Sequence, residues 1–425
     1  MIRRRTSHVI LAAGGTGGHM FPAHTLKVEL LKRGHKVSLI TDKRGMGYSN
    51  LFSDIDIYEV KSETFSGKNL MGKILAIPKI IDGIFAARHL LKSLKTPAGV
   101  VVGFGGYPSF PTLKAAIALG IPTCLHEQNA VLGRVNRYLA KKVDAVALSF
   151  EKTLKAKWEK YKYVVVTGNP VRKEIIDLGD KFYPAIGDDR LLRILVIGGS
   201  QGAGIFSEVV PRAVSTLPRA LQRRLQITQQ CRDEDIERVR EIYSRTNISV
   251  ELSTFIPNIP ECLEWSHLVI GRAGASTISE LTASGRPGIL VPYPFATDQH
   301  QLENSKEMVI AGGAWVFHQK EFNASELAKL LQRLAKRPRD IWRAAEDSRK
   351  IGKAYATKDL ADLVERLALV KGDMNVIKKN KIPPIRKTTN EDFGQDFEQD
   401  FEILQENDLN EDEPEYKTEN QGGRR

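Results

Sequence analysis

The apolar run "HVILAA" breaks into Gly14-Gly15-Thr16-Gly17-Gly18, and the chain repeats the figure as Gly198-Gly199-Ser200-Gln201-Gly202 after "LLRILVI". An apolar strand pattern precedes both and a helical pattern follows both. Glycines at a strand-to-helix turn let backbone N–H groups approach an oxyanion, and the helix N-terminus adds partial positive charge. Two such openings predict two Rossmann-like α/β halves facing a cleft. The first half continues through "HKVSLIT", "GVVVGFGG", "IPTCLHEQ", "VDAVALSF" and "YVVVTGNP". The second runs through "LQITQQC", "ISVELSTFI", "HLVIGRAG", "PGILVPYP" and "GAWVFH". "AHTLKVELLKRG" reads as the first helix, closed by Gly34.

These patterns divide the chain into residues 1–168, a hinge at 169–190, a second half at 191–370 and a charged tail at 371–425 that reads as disordered. The last helix before the tail is expected to pack back on the first half. The net charge of +12 hides an asymmetry: the tail holds nine Lys/Arg and fourteen Asp/Glu, leaving 54 against 37, or +17, on residues 1–370. So basic a body calls for an anionic partner: nucleic acid, a phosphorylated substrate or an anionic membrane. No nucleic-acid-binding signature accompanies the charge, so nucleic acid is not an expected partner. Three scattered cysteines, Cys124, Cys231 and Cys262, fit a reducing compartment. No apolar run is long enough to span a bilayer, and the run after "MIRRRTSH" is too short for a signal peptide.

Three glycine loops carry the phosphate-binding signal: "GGTGGH" at 14–19, "GFGGYPSFP" at 103–111 and "GGSQGAG" at 198–204. No Gly-Lys-Ser/Thr follows any of them, which excludes a Walker A loop. Asp42 stands where a dinucleotide enzyme places its ribose acid, although the first loop lacks the G-x-G-x-x-G spacing. "GRAGASTISE" (271–280) offers a tight turn at Gly271 and Gly274, a capping Ser276 and Glu280 one turn into the helix. Such a helix can hold a diphosphate at its start while the carboxylate accepts two ribose hydroxyls; a plain capped helix with a solvated glutamate has the same pattern.

"GGTGGHMFPA", "GFGGYPSFP", "HEQNAVLGRVNR", "GNPVR", "GGSQGA", "GRAGASTISE" and "DQHQLENS" occur in the order and spacing of the MurG family, and the chain resembles that family over residues 7–365. The resemblance implies the GT-B fold and an inverting transfer of N-acetylglucosamine from UDP-N-acetylglucosamine to the 4-hydroxyl of undecaprenyl-diphospho-N-acetylmuramoyl-pentapeptide, without cofactor or metal. It implies donor contacts from Ser200, Arg172, the helix start at Ala275, Ser276, Thr277, Ile278 and Ser279, and Glu280 on the ribose. The backbone of Ile256 would read the uracil, and Gln301 with His300 and nearby Asn304 would meet the sugar. Many family members have glutamine where this chain has His300. Asn129, Thr16, Gly17 and Gly18 would reach the donor from the first half. Acceptor contacts would come from Gly14, Gly15, His19, Gly105, Gly106 and Tyr107.

Such a reaction needs a base. His19 is one candidate because imidazole titrates near neutrality, and Glu127 is another; His19 can equally be read as a diphosphate donor or a loop-orienting residue. His126 and His24 read as structural, the latter packed against the first helix, and His19 with His24 makes an unsuitable zinc pair across Pro22. The acceptor's lipid implies peripheral attachment at the cytoplasmic face of the inner membrane, with cell-wall synthesis proteins as conceivable partners. The segment 70–96, where Leu75, Ile77, Ile80, Ile81, Ile84 and Phe85 interleave with Lys73, Lys79, Arg88, Lys92 and Lys95, suits an anionic surface. "RVNRYLAKK" (134–142) adds charge. A diacylglycerol glycosyltransferase is the alternative with the same donor motifs; a sugar-nucleotide 2-epimerase should carry further acids in the cleft.

Overall fold

A computed structural model describes residues 6–62, 70–186, 191–199 and 202–370, with the side chains of 70–77 and 370 excepted. Ser200, Gln201, the end of the hinge and the tail from 371 lie outside the described residues, as do the side chains of Lys73, Leu75 and Ile77.

The first sheet has seven strands: β1 (His8–Ala12), β2 (Lys36–Thr41), β3 (Asp56–Glu59), β4 (Val100–Gly103), β5 (Thr123–Glu127), β6 (Ala145–Leu148) and β7 (Val164–Val166). Their spatial order is β3-β2-β1-β4-β5-β6-β7, every pair parallel. The second has six: β8 (Leu192–Ile197), β9 (Leu225–Gln230), β10 (Ser249–Ser253), β11 (Leu268–Gly271), β12 (Gly288–Leu290) and β13 (Ala314–Val316). Their order is β10-β9-β8-β11-β12-β13, again parallel. A parallel sheet has helices on both faces, so its inner strands are apolar without alternation. All five residues of β1 and all four of β4 are accordingly buried.

The helices of the first half are α1 (Gly17–Lys32), α2 (Leu70–Ser93), α3 (Gly106–Ala118), α4 (Arg134–Leu139) and, after β7, α5 (Lys173–Gly179). Those of the second are α6 (Gly204–Ser215), α7 (Arg219–Gln222), α8 (Asp233–Ser244), α9 (Ile259–Trp265), α10 (Ala275–Ser284), α11 (His300–Ile310), α12 (Ala324–Lys336), α13 (Pro338–Lys350) and α14 (Ala356–Val370). Leu360, Leu363, Val364 and Leu367 of α14 share a buried cluster with Val9, Leu11 and Val100 of the first sheet. Arg33, at the end of α1, pairs with Asp362 and Glu365 of α14, and His35 with Glu365.

Two expectations about helix starts change. The first helix begins at Gly17, six residues before Ala23, and carries Pro22 inside it. Proline removes one backbone bond there, yet the amides of His19 and Met20 already turn onto the Thr16 carbonyl, so the helix is nucleated upstream of the proline. His24 therefore lies within the helix and meets Phe52 edge-on. Likewise "GFGGYPSFP" is mostly helix: only Phe104 and Gly105 separate β4 from α3.

Strand order reverses at β1/β4 in one sheet and at β8/β11 in the other. In such sheets the crevice outside the strand ends at that reversal is where ligands bind. The four loops that follow β1, β4, β8 and β11 are the glycine loops and "GRAG".

Candidate active site

The first crevice is built by close packing that only glycine permits. A Cβ on Gly14 would stand 2.7 Å from both Asp42 Oδ1 and Pro108 Cβ, and Gly15 has φ of 84°. Asp42 is buried and engaged: Oδ1 accepts from the Gly45 amide at 2.9 Å, and Oδ2 accepts from Ser62 Oγ. It holds the turn after β2 and offers no ribose acceptor, which removes the dinucleotide reading.

None of the helices α1, α3, α6 and α10 has a side-chain N-cap or an acidic residue in its first turn. α12 and α8 differ: Asn323 accepts from the Glu326 amide at the start of α12, and α8 carries Asp233, Glu234 and Asp235 in its first turn. The first amides of a helix have no acceptor four residues back; those of His19 and Phe206 turn onto the Thr16 and Ala203 carbonyls, and the amides before them are the ones left for a ligand. Gly17, Gly18, Gly106 and Tyr107 stand in those first turns, and Gly105 caps α3 with φ of 82°. An anion at these ends would find unsatisfied donors and no repelling carboxylate.

His19 sits in the first turn of α1. Its Nδ1 lies 3.1 Å from the Gly14 carbonyl oxygen, which can only accept, so Nδ1 carries the proton and Nε2 the lone pair. Burial lowers the imidazole pKa, opposed by the field of Glu127 and the bond to Gly14. A neutral ring with a free Nε2 is the form a general base requires. A 190 Å³ cavity joins His19 to Gly106, Tyr107, Glu127, Asn129 and Arg134 of the first half and to Thr297, Asp298 and His300 of the second.

Glu127, at the end of β5, is 2% exposed. Oε1 accepts from the Asn129 amide at 3.0 Å and Asn129 Nδ2 at 3.2 Å; Oε2 accepts from the Gly133 amide at 2.8 Å and Asn136 Nδ2 at 2.7 Å. A carboxylate offers about four lone-pair sites, and four donors occupy them. Glu127 thus ties the 127–136 loop together and has no lone pair left for a substrate proton. Behind it, His126 Nε2 meets the Gly168 carbonyl at 3.0 Å, and burial pushes its pKa down to about 4.

On the second half, α10 starts from Gly274, and Ser276 makes no cap; its Oγ is buried without a partner. The Ala275, Ser276 and Thr277 amides belong to the first turn. Ile278 offers less, because its side chain is buried and its amide bonds to the Gly274 carbonyl. Ser279 Oγ likewise turns back to the Ala275 carbonyl at 2.9 Å. Glu280 has one charged partner, Arg172 Nη2 at 2.9 Å, and burial raises its pKa against that pairing. The rest of its acceptor capacity is open. Ile256 is buried beside the exposed Phe255. Gln301 Oε1 accepts from the Tyr293 amide at 2.9 Å, and His300 Nδ1 stands 2.9 Å from the Thr297 carbonyl.

Asn129, expected to reach the donor sugar, is engaged on both sides, because Asn304 Nδ2 donates to its Oδ1 at 3.2 Å. Asn304 is fully buried; it also donates to the Ala273 carbonyl and accepts from the Ala130 amide at 2.8 Å. It therefore bridges the halves instead of facing a sugar. Sequence reasoning missed two further supports. Gln230 accepts from the Gly198 amide and donates to the Gly199 carbonyl, bracing the second glycine loop. Arg272 stacks between Phe206 and Tyr293 and donates to Val291 and Pro292 carbonyls and to Gln319. A buried glutamine ending a strand and an arginine beside a glycine were the available signals.

Two parallel sheets, each with a switch-point crevice, and a cavity lined by His19 and by both halves are the arrangement of a GT-B glycosyltransferase. The chain belongs to glycosyltransferase family 28 and, within it, to the MurG family. Residues 9–148 match the glycosyltransferase family 28 N-terminal domain, and residues 193–367 match the family 28 C-terminal domain. The UDP-N-acetylglucosamine--N-acetylmuramyl-(pentapeptide) pyrophosphoryl-undecaprenol N-acetylglucosamine transferase of Zymomonas mobilis is 50% identical over 358 residues, 84% of this chain and 92% of that protein. The protein of the same name from Sphingopyxis alaskensis is 47% identical over 85% of this chain and 92% of its own length. The crystal structure of Acinetobacter baumannii MurG superposes with a TM-score of 0.68 at 30% identity, covering 85% of this chain and 99% of that one. CalG4, the calicheamicin glycosyltransferase, shares the fold at 17% identity and a TM-score of 0.59.

Proposed function

We infer that this chain transfers N-acetylglucosamine from UDP-N-acetylglucosamine to the undecaprenyl-linked N-acetylmuramyl-pentapeptide, the reaction for which its relatives are named. The observation that carries the chemistry is His19: a neutral ring, Nδ1 held by Gly14 and Nε2 open, on the wall of the cavity joining both halves. Nε2 takes the proton of the muramoyl 4-hydroxyl as its oxygen forms the new bond to the anomeric carbon. The bond from that carbon to the β-phosphate oxygen breaks, and UDP departs with the electron pair. Charge growing on the phosphate meets the first-turn amides of α10 and α6 and the Arg172 guanidinium, preorganised donors that cost no rearrangement during reaction. Glu280 accepts the ribose hydroxyls, releasing Arg172 toward the diphosphate, and Gln301 and His300 lie on the sugar side.

The lipid acceptor requires a visit to the membrane. No helix among the described residues is long and apolar enough to cross one. Instead, Ile81 and Phe85 stand 47% and 63% exposed one turn apart on α2, followed by the exposed Arg88 and Lys92. Tyr138 is half exposed, with the Lys142 ammonium 4.0 Å from its ring centre. Apolar side chains rimmed by cations give shallow, salt-sensitive attachment to anionic lipid. The compartment proposed is the cytoplasmic face of the inner membrane, and the support is this apolar and basic surface together with the lipid-linked substrate for which the relatives are named.

The test is direct. Labelled UDP-N-acetylglucosamine and a short-chain muramoyl-pentapeptide lipid, without added metal, should yield labelled disaccharide lipid. Transfer to diacylglycerol instead would replace the acceptor assignment. For the membrane face, Ile81→Ser with Phe85→Ser should abolish sedimentation with anionic vesicles while leaving turnover of a soluble acceptor intact.

A further inference from the structure

Among the described residues, three that are not glycine take a left-handed backbone: Lys155 (φ 61°), Asp298 (φ 56°) and Gln299 (φ 52°). Two of them meet. Lys155 Nζ lies 2.8 Å from Asp298 Oδ1, and Arg137 Nη2 lies 2.7 Å from Oδ2. Lys155 and Arg137 belong to the first half, Asp298 to the second, so one carboxylate is held across the cleft by two cations. Lys155 follows a braced residue, since the Leu132 amide donates to the Leu154 carbonyl at 2.9 Å and the Leu154 amide to the Ala130 carbonyl at 2.7 Å, while Arg137 stands on α4.

The strained pair on the second half has a definite neighbour. Thr297–Gln299 is a single 3-10 turn that leads straight into α11, whose first residues are His300 and Gln301. Two successive left-handed residues set the direction in which that helix departs. Neither is a glycine, so the shape persists only where surrounding contacts hold it. Downstream, the Asn304 bonds to Asn129 and Ala130 fix the helix; the turn itself is closed locally by the Gln299 amide on the Ala296 carbonyl and by His300 Nδ1 on the Thr297 carbonyl, and the Asp298 ion pairs tie it to the first half.

We propose that Asp298 is a positioning residue for the donor sugar: bringing the halves together supplies Arg137 and Lys155, which hold the 297–299 turn in the shape that presents His300 and Gln301 to the hexose. This rests on the donor reading above. It separates the sugar from the nucleotide, because Ile256, Arg172, Glu280 and the start of α10 lie on other elements. The three groups are part-exposed, so added salt weakens the tie.

Calorimetry with UDP and with UDP-N-acetylglucosamine tests it on the whole chain. Asp298→Asn keeps a residue that tolerates the left-handed region and removes only the charge. It should weaken UDP-N-acetylglucosamine about 10-fold while UDP stays within about 2-fold. Arg137→Gln with Lys155→Gln should reproduce that split, and all three changes together should be no worse than Asp298→Asn alone, as expected of one coupled unit. Raising salt should weaken the sugar's share of binding in the wild type and leave Asp298→Asn flat. Equal losses for UDP and UDP-N-acetylglucosamine, or unchanged affinity for both, would overturn the inference. A wild-type protein that binds neither would overturn the donor reading and the inference with it.

Discussion

Glu127 ends β5 in the first half, and Glu280 lies within α10 in the second, just after the "GRAG" turn. Glu127 is saturated by four donors from its own loop, whereas Glu280 has one arginine and open acceptor capacity. The contrast separates scaffold from ligand site better than burial or charge does. A carboxylate whose lone pairs are filled shapes the chain; one left partly filled is available to a ligand.

Neutralising each glutamate by its amide breaks or sharpens this contrast. Glu127→Gln places an NH2 group among four N–H donors, so at least one buried donor loses its acceptor, at about 1–3 kcal/mol each. Thermal melting should fall by several degrees, and turnover should be lost together with the folded 127–136 loop. Glu280→Gln should leave the melting temperature unchanged and raise the donor KM about 10-fold, with the acceptor KM unaffected. Equal effects on melting from both changes would erase the distinction. Asn136→Ala removes one of the four donors to Glu127 and should lower stability by about 1 kcal/mol in chemical denaturation.

Acidification acts on the two walls with different signs. Burial raises the Glu280 pKa, so protonation sets in earlier than for an ordinary carboxylate and the donor KM should climb as pH falls through that range. Burial lowers the His19 pKa, so the base stays neutral and turnover should hold until the pH passes below the usual imidazole range. His126 acts on stability. Its folded pKa of about 4 lies below the unfolded value, so between the two the unfolded chain binds a proton that the folded chain does not. Stability is complete above the unfolded value and declines as pH falls toward 4, by at most about 3 kcal/mol. Urea unfolding at stepped pH, with His126→Gln as the reference, reads this slope.

How much of this was legible in the sequence depends on whether the cause is local. The strands could be read because "HVILA" and "VVVG" are apolar on both faces, as double burial requires. The paired glycine loops led to the two crevices for the same reason: a strand-to-helix turn is written in adjacent residues. The helical pattern read from Ala23 missed the first turns of α1, because the Thr16 carbonyl nucleates them inside the glycine run, where no amphipathic pattern marks a helix. Asp42 and Ser276 show the opposite limit. Their spacing suited a ribose acid and a cap, but packing turned Asp42 onto the Gly45 amide and left Ser276 unbonded. Asn129, Asn304 and the Arg137–Asp298–Lys155 tie join residues more than a hundred positions apart, and no local pattern encodes such partners.

The central claim is that His19, and not Glu127, removes the acceptor proton. Its most direct test is single-turnover rate with bound UDP-N-acetylglucosamine for His19→Ala, alongside calorimetric donor affinity. The account predicts a rate about 100- to 10,000-fold below wild type with donor affinity nearly unchanged. A His19→Ala rate near wild type, with acceptor affinity alone reduced, would contradict it and leave the histidine only a grip on the phosphate.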